Sequence, residues 1–148
     1  MLTRVAFLEA RAGMGIFDTL RIAASGLTAQ RLRMDVASSN IANADTTASP
    51  GGGPYRPEAV VFTPFELSGE PGAQGVSAAA IVQPGAGSRE VYDPSNPAAD
   101  AQGMVTYPDV DVAAQMADLI GASRSFQLDA TVASAAKQSG LDALDIGR

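Results

Sequence analysis

The sequence predicts an α+β protein: long N- and C-terminal α-helices pairing as a coiled coil, with a small β-rich, proline- and glycine-rich middle. Three observations carry that expectation. Leu20, Leu27, Met34 and Ile41 stand seven residues apart near the start, and Val112, Leu119, Phe126 and Ala133 do so near the end. Seven-residue apolar spacing marks a helix that packs on another helix through a narrow seam. Between the two, residues 46–107 hold eight of the nine prolines, a residue that neither continues a helix nor serves an interior strand. The expected segments are an extension or misassigned start at 1–13, a helix segment at 14–47, a β-rich middle with an extended arm at 48–107, and a helix segment at 108–148.

Within residues 1–13, Glu9 and Arg11 follow directly on Val5-Ala6-Phe7-Leu8. A secretory core needs roughly 7–15 apolar residues, so this is not a cleavable signal. Met14-Gly15-Ile16-Phe17 is the more natural beginning. The first helix has Asp18 as an N-terminal cap, and Phe17, Ala24 and Ala37 sit one turn from its heptad ridge. It ends where Asn40, Asn43, Asp45, Thr46 and Thr47 supply turn-formers. That allows about 28 residues, or roughly 40 Å. Such a length demands a partner along it.

In the middle, Gly51-Gly52-Gly53 is a flexible joint. No Gly-Lys-Ser/Thr follows it and no helix opens after it, so it is not a phosphate loop. Short strands are expected at 58–65, 75–83 and 89–92, separated by the turn signals Glu70-Pro71-Gly72 and Pro84-Gly85-Ala86-Gly87. They suffice for a hairpin or a small three-stranded sheet. Residues 92–110 read as a proline-stiffened extended arm with a turn at Gly103 and a brief strand before the last helix. Pro108, Asp109 and Asp111 then start that helix, with acidic groups where the helix dipole favours them. Met116, Ser123 and Ala130 adjoin its ridge. Gly121 and Gly140 each cost about 1 kcal/mol against Ala inside a helix; close approach of a neighbour, or fraying before assembly, accounts for them. Arg124 and Lys137 belong on solvated or inter-subunit faces.

Composition removes most chemistry. The chain has no histidine and no cysteine, which excludes thiolate nucleophiles, imidazole or thiolate metal sites and a Ser-His-Asp relay. Its formal charge is −6, distributed as +1 over 1–13, 0 over 14–45, −4 over 46–107 and −3 over 108–148. Without a basic stripe, neither nucleic acid nor an anionic membrane surface is an expected partner. Glu66, Glu70, Glu90, Asp93 and Asp100 lack the tight spacing of a metal or acid–base site and read as solvated turns. No run reaches the 18 apolar residues of a membrane span. No catalytic residue, metal or cofactor is expected.

Small seam residues bury little area at about 25 cal/mol per Å², whereas ordering each residue costs roughly 1–2 kcal/mol. The helix pair of a single chain is therefore expected to be marginal, gaining order on assembly. With long seams and no reactive centre, the chain reads as an assembling subunit.

Ser25-Gly26-Leu27-Thr28-Ala29-Gln30-Arg31-Leu32, followed by Ala37-Ser38-Ser39-Asn40-Ile41-Ala42-Asn43-Ala44-Asp45-Thr46-Thr47, resembles the N-terminal signature of bacterial flagellar rod and hook proteins. Residues 92–110 and Ala122-Ser123-Arg124-Ser125-Phe126-Gln127-Leu128-Asp129 are similar to the version found in the proximal rod. The resemblance covers about 14–148 and is loose over 46–90. It implies a structural subunit of the basal-body rod, exported through the flagellar type III apparatus without a cleaved signal and polymerised in the periplasm to transmit torque. Its partners would be copies of itself, other rod proteins and proteins of the hook–basal-body complex. Both terminal helices would form an inner coiled-coil tube, with the middle outside it. Asp109 departs from the usual Asn but keeps a capping side chain. Gln115 replaces a common Glu, which puts one inter-subunit charge contact in doubt, and Ala98, Ala99 and Met104 vary the arm. The expected assembly residues are Leu20, Leu27, Met34, Asn40, Ile41, Asn43, Val112, Met116, Leu119, Arg124 and Phe126. The alternative is a non-flagellar coiled-coil binding module, a stable helical dimer with a ligand-reading β middle.

Overall fold

The computed structural model describes residues 15–67, 72–85 and 87–146. The expected lead at 1–13, the Met14 start and parts of two expected turns (Glu70-Pro71 and Ala86) lie outside the described residues. Helix α1 spans Ile16–Ala42, 27 residues. Its end is built as the turn-formers require. Asn43 donates its side-chain N–H to the Ser39 carbonyl at 2.9 Å and accepts the Thr46 hydroxyl at 3.2 Å, offering the chain an alternative to another helical turn. The start differs from expectation. Gly15 holds the capping position without a side-chain bond, and Asp18 sits inside the first turn, 3.8 Å from Arg21. There it favours the helix dipole rather than capping an N–H.

Helix α2 spans Val112–Ile146, 35 residues. It begins later than residue 108. Asp111 is the cap, accepting the Ala114 N–H at 3.0 Å; Asp109 instead donates its backbone N–H to Gly87 at 3.2 Å. Pro108 belongs to a strand. The two helices pack antiparallel, because Ile16 lies against Gly140, Gly26 against Asp129, Arg33 against Asp118 and Asn40 against Gln115.

Among the described residues, four strands form two separate two-stranded sheets, so of the expected hairpin or three-stranded sheet the hairpin form is found, twice. β1 (Ala59–Glu66) pairs antiparallel with β2 (Gln74–Val82), and β3 (Ser88–Tyr92) pairs antiparallel with β4 (Met104–Pro108). Limits of the first three fall within one residue of the expected spans. A bulge at Val61/Phe62 shifts the first register. That first hairpin lies along α1, held at both ends. Glu58 meets Asn40, and the Val76 N–H donates to Ser25 Oγ at 3.1 Å. Fifteen residues of helix cover about 22 Å, and seven residues of strand cover about 23 Å. The lengths match, so both anchors close without strain.

The expected extended arm is instead a folded loop joining β3 to β4. Asp93 donates its N–H to the Gly103 carbonyl at 2.9 Å, and Asp100 Oδ1 accepts the N–H groups of Gln102 and Met104 at 2.9 and 2.8 Å. Gly103 has φ 76°, which a side chain would oppose. The prolines stiffen turns that local Asp and Asn side chains close, and Val105 beneath them is fully buried. Arg89 ties this hairpin to the end of α1, lying 5.5 Å over the Tyr107 ring and 3.6 Å from Asp45.

Gly121 is exposed on α2, and a Cβ there would meet open space. Gly121→Ala is expected to stabilise the isolated chain by about 0.5–1 kcal/mol through the helix propensity and unfolded-state entropy it changes. Urea unfolding followed by circular dichroism measures it. A loss of stability would mean that α2 does not hold this course in solution.

Candidate assembly interface

The innermost ridge of the helix pair is displaced from the large-residue heptads, by the same step on both helices. On α1 it runs through Ala23, Gln30 and Ala37 and continues to Ala44 beyond the helix; Ala23, Ala37 and Ala44 are buried. Each lies three residues after Leu20, Leu27, Met34 and Ile41 in turn, and those four are only half-buried. On α2 the corresponding ridge is Gln115, Ala122, Asp129 and Ala136, three residues after Val112, Leu119, Phe126 and Ala133. Ala122 is fully buried, whereas Val112, Leu119 and Phe126 are half-buried. Residues three apart sit on adjacent ridges of one helix face. Small side chains let the axes approach, and the leucines and phenylalanine flank the contact. The approach is close: a Cβ on Gly26 would stand 2.6 Å from Asp129 Oδ2.

Asn40 is 1% exposed and uses its whole hydrogen-bonding capacity within the chain. Its Nδ2 donates to the Glu58 carbonyl at 2.8 Å and to Gln115 Oε1 at 3.0 Å. Its Oδ1 accepts the Glu58 N–H at 2.9 Å and the Tyr55 hydroxyl at 3.0 Å. A backbone N–H can only donate and a carbonyl only accept, so Glu58 dictates which way the amide faces. One side chain thereby joins α1, the segment leading into β1, and α2. Gln115 works inside the chain here. Asn43 caps α1, as described above.

The remaining expected residues face outward. Met116 is 50% exposed, and Arg124 is exposed. Around them α2 also shows Ile120, Leu128, Val132, Leu141 and Leu144, and α1 shows Phe17 at 81% exposure. Large exposed apolar side chains grouped on one element are the kind of surface that another protein covers. Tyr55, Glu58, Ile120 and Leu128 escaped the sequence reading. Tyr55 and Glu58 sit in a proline-flanked loop that carries no period, and the other two lie off the heptad.

Asp93 and Asp100, considered above as carboxylates, bond the backbone of their own turns. Among the described residues, no helix is long and apolar enough to cross a membrane.

Comparison with known proteins finds relatives of this chain along most of its length. A family model described as "Flagella basal body rod protein" matches residues 20–48, and one described as "Flagellar basal body rod FlgEFG protein C-terminal" matches residues 101–146. The chain is 42% identical over 137 residues to the flagellar basal-body rod protein FlgC of Escherichia coli O6:H1, covering 91% of this chain and 100% of that one. It is 39% identical over 150 residues to FlgC of Bacillus subtilis, covering 91% and 100%. Against FlgC of Borreliella burgdorferi it is 36% identical over 149 residues, covering 90% and 98%.

Proposed function

The chain belongs to the flagellar basal-body rod protein family, a structural component of the rod and not an enzyme, and from that premise we propose how it assembles. It is a subunit of the proximal rod, contributing Ile16–Ala42 and Val112–Ile146 as paired coiled-coil segments and the strands between them as the β-rich part around the pair. Copies of this chain and other rod and hook–basal-body proteins cover the exposed side of the helix pair, so that torque passes between subunits through packed helices. Export proceeds through the flagellar type III apparatus, and the outer faces of the helices become covered on joining the rod.

The observation that supports this most is the uncovered apolar surface of α2 on a chain that matches its relatives along their full length. Met116 and Arg124 reach neighbours directly. Leu20, Leu27, Met34, Ile41, Val112, Leu119 and Phe126, half-buried in one chain, offer their outer edges. Asn40 and Asn43 act from within, holding the surface in shape. A heterologous contact of this kind repeats into a helical filament rather than closing on itself. The relatives do not favour the alternative of a non-flagellar binding module.

Met116→Asp tests the reading without disturbing the interior, since half of that side chain is already solvated. Motility on soft agar is expected to be lost while the protein remains detectable among exported proteins. Glu66→Gln, on the rim of β1, is expected to change neither. Wild-type motility in the Met116→Asp strain would remove α2 from the interface.

A further inference from the structure

We propose that Arg124 of one copy enters a cleft between α1 and α2 of the next copy, where it meets Asp129 and Gln30. The proposal rests on the rod reading, since it takes copies of this chain as neighbours. Asp129 is half-buried at the helix contact and forms no ion pair among the described residues. Its own helix supplies no cation. The positions three and four residues away, where a helical partner would stand, are Ser125, Phe126, Val132 and Ala133. Gln30 Oε1 is buried without a hydrogen-bond partner among the described residues. Both residues line one cleft of about 410 Å³ between α1, α2 and β2, whose walls include Ile22, Val76 and Val132. The cleft therefore sets a carboxylate and an amide oxygen among apolar walls with no donor for either. Such groups are costly to leave unmet.

The occupant that fits has an apolar stem and several N–H donors on a cationic head. Arginine has both, and its planar fork can serve a carboxylate and a second oxygen together. Arg124 is exposed and forms no ion pair among the described residues. Its helical neighbours are Ile120, Gly121, Gln127 and Leu128, none of them acidic. Met116, Ile120 and Leu128 share its four-residue spacing, so the guanidinium stands within an oblique apolar ridge. That ridge matches the rim of the cleft, where Val76 and Val132 are 39% and 48% exposed. Arg31, by contrast, has Asp35 four residues on, and Lys137 lacks the planar fork. The giving and receiving faces differ, so the contact is heterologous and repeats from copy to copy.

Two measurements test this. In the first, basal bodies are purified from strains carrying Asp129→Asn, Arg124→Gln or both, and the amount of this chain in them is quantified by mass spectrometry. Each single change is expected to lower incorporation about tenfold, as loss of one partner of a desolvated charge pair does. The double change is expected to cost no more than either alone, because both remove the same contact. Parent-level incorporation of Asp129→Asn, or a double loss of roughly a hundredfold as for independent sites, overturns the proposal. So does a lowered thermal midpoint of the purified Asp129→Asn chain, which would place the role of Asp129 within one copy. In the second, a photoreactive benzoylphenylalanine stands in place of Val132, and intact basal bodies are irradiated. A link to residues 116–128 of a second copy is expected. A link to a different rod protein overturns the proposal and leaves the rod reading standing. No link from an incorporated chain shows a cleft that holds only water and overturns it too. Absence of the parent chain from basal bodies overturns both.

Discussion

Asn40→Ala is expected to cost the isolated chain about 2–4 kcal/mol. Four hydrogen bonds disappear together, and the N–H and C=O of Glu58 and the Tyr55 hydroxyl lose their shared partner. Each buried group left unmet costs roughly 1–3 kcal/mol, and the half-buried position of Glu58 and Tyr55 lets water return part of that. A second consequence is local. The β1–β2 hairpin loses one of its two anchors on α1, so amide hydrogen exchange across β1 should quicken more than exchange in β4. Urea unfolding gives the global cost, and exchange gives the local one. A change under about 0.5 kcal/mol, the range of an ordinary surface substitution, would show that this node is not formed in solution.

Ala122→Leu is expected to be damaging for the opposite reason, too much side chain instead of too little. Ala122 is fully buried and lies mid-stripe between Gln115 and Asp129, both of which touch α1. Three added carbon atoms have no space to enter, so the helices separate or rotate. Overpacking of this sort costs about 1–3 kcal/mol, and here it also moves the outer faces of the pair. Loss of motility should therefore accompany a lowered thermal midpoint. Leu144→Ala, at a side chain 71% exposed, is the comparison: same element, little effect on the midpoint. Should Ala122→Leu melt like the parent chain, the close approach described here would be wrong.

Much of the fold was legible because its cues are local. Seven-residue spacing announced both helices, prolines bounded them, and β-branched runs between turn signals located three strands to within a residue. The departures share a cause. Prolines taken alone predict an extended arm at 93–103, whereas Asp93 and Asp100 close a loop there by bonds to the backbone two to four residues away. Apolar size picks out the heptad ridges, whereas the innermost ridge of the pair within one chain lies three residues further on. Large residues do gather along one ridge, yet the tightest contact belongs to alanine and glycine.

From the sequence alone came the helix pair, the lack of any thiol or imidazole, and the signature of the rod family; each depends on residue identity and short-range spacing. Which ridge lies innermost, and that Asn40 and Gln115 meet across 75 residues of chain, only the tertiary structure decided. Periodicity tells that a helix has a buried side. How near a second helix can come, and at what alignment, depends on the volumes and polar groups both present at once.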